Sequence, residues 1–321
     1  MFVICIKSSH EIGMGHLYRS MVLYKYLKSR GEDCLIVVNN HKPSLRILDN
    51  ADICYEIANV DDIDNDWESR IIQNNNIKFW INDRLETTLK HANKVKRHDV
   101  SLISFDDYGE GAKLTDLHFA PLIFTDVKDI KGHNVLTGVN YLLLSDEIIN
   151  FRRLRTSVSK ILVTLGGSDT HGVTVSVLKL LKEIGLSATV CVGPSFEHYQ
   201  ELEMELNDNY KVIFNAPSII ETFYDYDLLI SGGGVTPFEA NASGLPCVII
   251  ANEEFEVQIG KYLDKNNSSV FTDYHKNLSC KKLEYSLNRA KENIDSMSRI
   301  GIESIPLDAA ENIYNEIKNV Q

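Results

Sequence analysis

The chain of 321 residues has only seven prolines, two tryptophans and six cysteines, and no apolar run long enough to span a bilayer. Each scarcity excludes something. A chain with 44% hydrophobic residues and so little proline is not a collagen, a mucin-like stalk or a long disordered tract. Cys5, Cys34, Cys54, Cys191, Cys247 and Cys280 are scattered, with no CxxC pair, which excludes a dense disulfide scaffold and leaves reduced, buried thiols in a cytoplasmic protein as the expectation. The ten histidines form no HxxxH pair, so a metal site has no support. There is no GxxxxGK[ST] run and no GxSxG elbow. Counting from Gly13, the dinucleotide fingerprint meets Gly15 but then Tyr18, which disfavours a nicotinamide-type oxidoreductase. The opening Met1 to Ile6 is too short for a signal peptide. Positive charge is also in deficit: 33 Lys plus Arg against 45 Asp plus Glu gives −12. That balance repels nucleic acid and anionic lipid, yet permits one small anionic ligand held by local donors.

What is present is an alternation of short apolar runs and helical periodicity. Residues 2–6 lead through a glycine-containing loop to a predicted helix over 17–29 ending at Gly31, then to a β-rich run over 34–38, which makes one parallel βαβ unit. Runs at 77–81 and 100–105, with a polar helical stretch at 86–97 between them, extend it to an open parallel sheet. Further strands are expected at 116–121 and 134–138, and the charged stretch 149–155 is the expected linker. The opening pattern returns from Lys160, with a strand at 161–165, the turn Gly166-Gly167-Ser168-Asp169 and a helix over 173–186. Apolar runs at 187–192, 210–214, 228–231 and 247–250 follow. The expected fold is α/β: two Rossmann-like domains, 1–150 and 151–321, with parallel sheets facing a central cleft.

Three glycine-bearing turns carry the candidate chemistry. In Gly13-Met14-Gly15-His16, followed by Arg19, the glycines allow close backbone approach, and His16 falls in the first helical turn at the carboxyl end of the first strand. A neutral imidazole there suits a general base, and a packing or capping histidine beside a tight turn is the plain alternative. Gly166, Gly167 and Ser168 form the corresponding turn of the second half, where backbone N–H groups can converge on an anion and Ser168 can cap the helix. In Ser231-Gly232-Gly233-Gly234-Val235-Thr236, Gly233, Gly234 and Thr236 form a phosphate-approach loop. Glu239, one turn into the next helix, can accept from two ribose hydroxyls, and Gln258 can reach the same site. Asp83 and Arg84, at the end of the run that contains Trp80 and Ile81, either face the cleft or form a surface ion pair.

These motifs, together with Ile103-Ser104-Phe105-Asp106-Asp107, resemble in type and order the nucleotide-sugar enzymes of GT-B architecture. The likeness is to the pseudaminic-acid-pathway hydrolases that remove UDP from UDP-2,4-diacetamido-2,4,6-trideoxy-β-L-altropyranose, and to the related spore-coat polysaccharide proteins. The resemblance implies a UDP-sugar substrate, a nucleotide held by the C-terminal domain, and no metal or redox cofactor. It makes His16 the base that activates the attacking oxygen and Asn241 a site-lining catalytic partner. Gly13, Gly15, Arg19, Asp83, Arg84 and Asp107 would be on the sugar side. Gly167 and Gly234 would be phosphate-side turns, and Glu239 the ribose ligand. Where the family has Asp-His-Tyr, this chain has Asn82-Asp83-Arg84, so a changed sugar pocket is expected. The leading expectation is hydrolysis at the anomeric carbon. The alternatives are an inverting glycosyltransferase and a nucleotide-sugar-binding protein without chemistry.

Overall fold

The computed structural model describes residues 1–8, 15–122, 130–167, 169–193, 195–214, 216 and 218–320. The chain divides into two compact units, Met1–Ser145 with Leu307–Gln321, and Asp146–Pro306. The first contains β1 (Phe2–Ile6), α1 (Gly15–Ser29), β2 (Cys34–Val38), α2 (Lys42–Asn50), β3 (Tyr55–Ile57), α3 (Trp67–Asn75), β4 (Phe79–Asp83), α4 (Leu89–Lys96), β5 (Ser101–Phe105), β6 (Leu117–Ala120) and β7 (Val135–Thr137). All its paired strands are parallel, in the order β3-β2-β1-β4-β5-β6-β7. β1 is buried throughout because helices cover both faces of the sheet, which is why it reads as an unbroken apolar run rather than an alternation. The progression runs outward from β1 to β3 and then restarts on the other side at β4. The crevice at the carboxyl ends of β1 and β4 is therefore the topological switch point where such sheets bind ligands.

The second unit repeats the plan with β8 (Ile161–Thr164), α5 (Val173–Ile184), β9 (Ala188–Val192), α6 (Tyr199–Glu205), β10 (Tyr210–Phe214), α7 (Ile219–Phe223), β11 (Leu228–Ser231), α8 (Thr236–Ala242), β12 (Cys247–Ala251), α9 (Glu256–Lys265), β13 (Ser269–Tyr274), α10 (Cys280–Glu292) and α11 (Ile294–Ser304). Its strand order is β10-β9-β8-β11-β12-β13, again all parallel, and the switch point lies between β8 and β11. The two turns that follow these strands are the glycine turns at 166–167 and 232–234.

The domain limits differ from the expected ones in two places. The stretch expected as a linker, 149–155, is built into the second unit. A 3₁₀ helix spans Asp146–Phe151, and Arg155 is fully buried, donating to the carbonyls of Arg153 (2.7 Å), Phe223 (2.7 Å) and Ser243 (2.5 Å). Burial lowers this guanidinium to about 9. The segment after Pro306 belongs to the first unit rather than to a domain 151–321. Its helix α12 (Ala309–Asn319) buries Ala309, Ala310, Ile313 and Ile317 in the core that holds Phe2, Ile4 and Leu27. Cys54 is exposed, contrary to the expectation of buried thiols, while Cys5, Cys34, Cys191 and Cys247 are buried. Among the described residues, no helix is long and apolar enough to cross a membrane.

Candidate functional site

Alternation along β4 decides which side chains meet. Ile81 belongs to the core that α1 covers, and Trp80 to the opposite core beneath α3 and α4. Asn82 follows Trp80: its Oδ1 accepts from Trp80 Nε1 at 2.9 Å and lies 3.1 Å from His91 Nε2. Asp83 follows Ile81 and meets α1, where His16, Arg19 and Ser20 share a face through i, i+3, i+4 spacing. All three converge on it. His16 Nδ1 lies 2.5 Å from Asp83 Oδ1, Arg19 Nε donates to Oδ2 at 2.7 Å, Arg19 Nη2 donates to Oδ1, and Ser20 Oγ donates to Oδ2 at 3.1 Å. Arg19 Nη1 extends the cluster to Asp106 Oδ2 at 2.5 Å.

Burial alone would raise the Asp83 carboxyl, but the Arg19 guanidinium and the His16 bond outweigh it and hold the group well below the usual carboxylate range. An ionised carboxylate only accepts, and at 2.5 Å it outweighs the Arg19 Nη2 donor that stands 3.1 Å from the same nitrogen and already donates to Asp83, so the His16 proton is assigned to Nδ1 and the lone pair to Nε2. Nε2 has no hydrogen-bond partner among the described residues. His16 lines a pocket of about 610 Å³ within the first unit, together with Lys7, Arg84, Leu85, Thr87 and Leu89. A carboxylate that fixes one imidazole nitrogen while the other is left with its lone pair is the arrangement of a general base with its orienting partner.

The other residues expected on the sugar side divide. Gly15 opens α1, with open space where a side chain would stand. Arg84 is buried in the pocket wall, its Nη2 donating to Val60 O at 2.8 Å and standing 3.8 Å from Asp61 Oδ1, while Nε and Nη1 are sealed from solvent with no hydrogen-bond partner among the described residues. Asp83 and Arg84 therefore do not form the surface ion pair weighed for them. Asp107 is not a ligand-facing group. Its Oδ1 accepts from the amides of Thr87 and Gly109 (both 2.9 Å) and its Oδ2 from Ser104 Oγ (2.9 Å), so the carboxylate is consumed in tying together the loops behind the pocket. Its neighbour Asp106 is the acid that joins the His16 cluster. Gly13 and Ser168 lie outside the described residues.

In the second unit Gly166 adopts φ +95°, a left-handed conformation that favours glycine, and Gly166, Gly167 and Gly234 all border open space. The cap on α5 comes from Asp169, whose carboxylate accepts from the amides of Val173 and Thr174, both at 2.8 Å. Gly233 does not offer its N–H to a ligand. That group donates to Glu256 Oε2 at 3.1 Å, and a Cβ at this position would stand 2.6 Å from Glu256 Cβ. The same oxygen accepts from Asn252 N at 2.7 Å. Thr236 opens α8, and Gln258 is exposed on α9. Glu239 has no ion-pair partner among the described residues, and desolvation lifts its carboxyl to about 7.

Asn241 is not at the site. It is 1% exposed, and its Nδ2 donates to Pro237 O at 2.7 Å and Ser269 Oγ at 2.9 Å. Two residues beyond Glu239 on a helix, it points inward to β12 and β13 instead of outward. Ser20 and Glu256 are positioning residues that sequence reasoning missed, Ser20 having left a local signal at i+4 from His16; Asp106 and Asp169 stood inside the quoted motifs, but the roles went to their neighbours Asp107 and Ser168. Among the described residues, no three His, Cys, Asp or Glu side chains are grouped to hold a metal ion.

No family model matches the chain. In sequence it is 26% identical over 338 aligned positions to an uncharacterized protein of Methanocaldococcus jannaschii, covering 92% of this chain and 67% of that one. It is 23% identical over 267 positions to the spore coat polysaccharide biosynthesis protein SpsG of Bacillus subtilis, covering 78% and 77%. Among solved structures it superposes on MurG of Acinetobacter baumannii with a TM-score of 0.70 at 10% identity, over 99% of both chains. A glycosyltransferase of Rickettsia africae gives 0.71 at 14%, over 99% and 98%. HepE of Anabaena, in complex with UDP, gives 0.69 at 12%, over 99% and 100%. These likenesses show the fold: two parallel-sheet α/β units of GT-B type.

Proposed function

We propose that the chain is a nucleotide-sugar enzyme of surface-polysaccharide or nonulosonic-acid biosynthesis, which cleaves a UDP-linked sugar at the anomeric carbon and releases UDP. The observation that carries this reading is the buried Asp83 on His16 Nδ1, with Nε2 unpartnered among the described residues and on a ligand-sized pocket. The relation to SpsG supports a role in polysaccharide synthesis, and the UDP bound by HepE supports the nucleotide.

In the mechanism, Nε2 takes a proton from water as the water oxygen attacks the anomeric carbon. The bond to the UDP oxygen breaks, and its electron pair leaves with the diphosphate. Asp83 stabilises the imidazolium as it forms, without itself taking the proton. Attack opposite the leaving group inverts the anomeric configuration. In the second unit, the open turns at Gly166, Gly167 and Gly234 would let backbone amides approach the diphosphate, and Glu239 and Gln258 are assigned to the nucleoside. A second reading replaces water by a sugar hydroxyl, and the glycosyltransferase fold favours it.

The test is UDP release from a panel of UDP-sugars without added divalent metal, with and without acceptor sugars. His16→Ala is expected to lower kcat by about 10²- to 10⁴-fold while UDP still binds. Release that needs an acceptor selects the transferase reading. Normal turnover by the alanine variant, or tight UDP binding with no release under any condition, overturns the assignment.

A further inference from the structure

Resting on the nucleotide assignment of that reading and deepening it, we propose that Asn252 is a positioning residue: it locks the glycine turns after β8 and β11 into one cradle for the two phosphates of a nucleoside diphosphate. β8 and β11 are neighbours in the sheet, with Thr164 paired to Ser231, so the two turns leave it side by side, about 5 Å apart. Gly166, Gly167 and Gly234 border open space, which leaves room on both turns for a phosphate group. Among the described residues, no hydrogen bond joins one turn directly to the other. The connection is made through the residue that follows β12, the strand on the far side of β11 from β8.

Asn252 is 8% exposed. Its Nδ2 reaches past the end of β11 to donate to Leu165 O at 2.8 Å, immediately before the first turn. The same nitrogen lies against Gly232, where a Cβ would stand 3.2 Å from it, closer than side chains ordinarily pack. The missing side chain at 232 is what admits the crossing. The Asn252 amide donates to Glu256 Oε2 at 2.7 Å, and this oxygen also accepts from Gly233 N at 3.1 Å. Leu165 O, Asn252, Glu256 and Gly233 therefore make a continuous tie from the first turn to the second. Asn252 Oδ1 has no hydrogen-bond partner among the described residues, so the donor end of the carboxamide is what holds it. A diphosphate must meet both turns at once, and donors already fixed at one separation bind it without the cost of ordering two loops. A monophosphate needs one turn and gains little from the register between them.

Calorimetry with UDP and UMP on wild type, Asn252→Asp, Gly232→Ala and Glu256→Gln tests the register, because the two ligands differ by one phosphate. Thermal melts verify folding. Wild type is expected to prefer UDP by at least about 30-fold. Asn252→Asp keeps the shape but turns a carboxylate oxygen on Leu165 O, and should weaken UDP by about 10-fold or more and UMP by less than about threefold. Gly232→Ala presses on the same carboxamide and should show the same pattern, which decides the matter even where Asn252→Asp does not fold. Glu256→Gln keeps an acceptor oxygen for both amides and should retain most of the preference. Equal losses on UDP and UMP, an unchanged preference in both Asn252→Asp and Gly232→Ala, or a wild type that binds UMP as tightly as UDP overturns the proposal and leaves the nucleotide reading standing. If another base is bound instead, the uridine assignment fails, and the mono- and diphosphate of that base decide the cradle by the same criteria. A wild type that binds no nucleoside diphosphate overturns both.

Discussion

The single residue on which most depends is Asp83, because it sets both the tautomer of His16 and the position of Arg19. Replacing it with Asn is expected to lower kcat by about 10³-fold or more, as the amide can present the wrong hydrogen-bonding edge to Nδ1. It would also cost about 3 kcal/mol of stability by leaving the Arg19 guanidinium buried without its main partner. Because the folded carboxyl lies below its ordinary value, the stability it contributes is complete above about pH 4 and is lost as pH falls through the folded value. Acid unfolding followed by circular dichroism should accordingly begin at higher pH in Asp83→Asn. Glu239 has the opposite sign. Its carboxyl is raised from 4.5 to about 7, so stability falls as pH rises across that interval. Glu239→Gln should be more stable than wild type at pH 8, by up to about 2 kcal/mol once solvent screening is allowed for, and equal to it below about pH 4. Weaker UDP binding at pH 8 in the same variant would accompany the gain if the carboxylate holds the ribose. At this scale the sequence displays residue types and local spacing. His16 was legible from its glycines and Arg19 from its offset. The burial of Asp83 depends on partners 63 to 67 residues distant along the chain, and the difference between Asp106 and Asp107 on Arg19, 87 residues from the first, and on a loop contact of the second to Thr87.

At the scale of elements, strand alternation and helix phase distribute the roles. β4 sends Asn82 into the Trp80 network and Asp83 to α1, and α8 leaves Glu239 partly exposed while Asn241 is sealed. A motif read as a string places Asn241 beside its neighbours, whereas a helix turns it away. The stretch 149–155 misleads for a related reason: its arginines look like a solvated linker until the distant carbonyls of Phe223, Tyr226 and Ser243 surround Arg155. Arg155→Met would remove the donor of Arg153 O and leave Phe223 O and Ser243 O with only their backbone donors, Tyr226 N and Arg153 N. The expected loss is about 3 kcal/mol or more, seen as a lower urea midpoint for the second unit. The glycine turn after β11 is held from behind by Glu256, so Gly233→Ala, which forces a methyl against Glu256, should weaken UDP binding by displacing the turn.

For the whole molecule, two parallel sheets were legible because every buried strand is a short apolar run and every helix between them has its own period. β10 and β11 begin and end where the apolar runs do, at 210–214 and 228–231. The short β3, with Tyr55 and Glu56 half-buried, and the last strand β13, half-buried from Phe271 onward, gave no such run, and nothing in the sequence showed the partition of the C-terminus. The amphipathic period of α12 marks it as a packed helix but carries no address; only the complementary surface beside Phe2 and Tyr26 supplies one. Truncation after Pro306 is expected to destabilise the first unit selectively, shifting a probe near Trp67 and Trp80, the molecule's two tryptophans, to a lower melting temperature. An unshifted tryptophan transition would contradict that dependence.

The return of α12 to the first unit also imposes an order on synthesis. A ribosome delivers Asp146–Pro306 as one uninterrupted stretch, whereas the unit begun first waits for its closing helix until after that stretch has emerged. The half translated earliest is therefore the half completed last, and its Phe2-containing core stays partly uncovered for as long as the intervening residues take to be made.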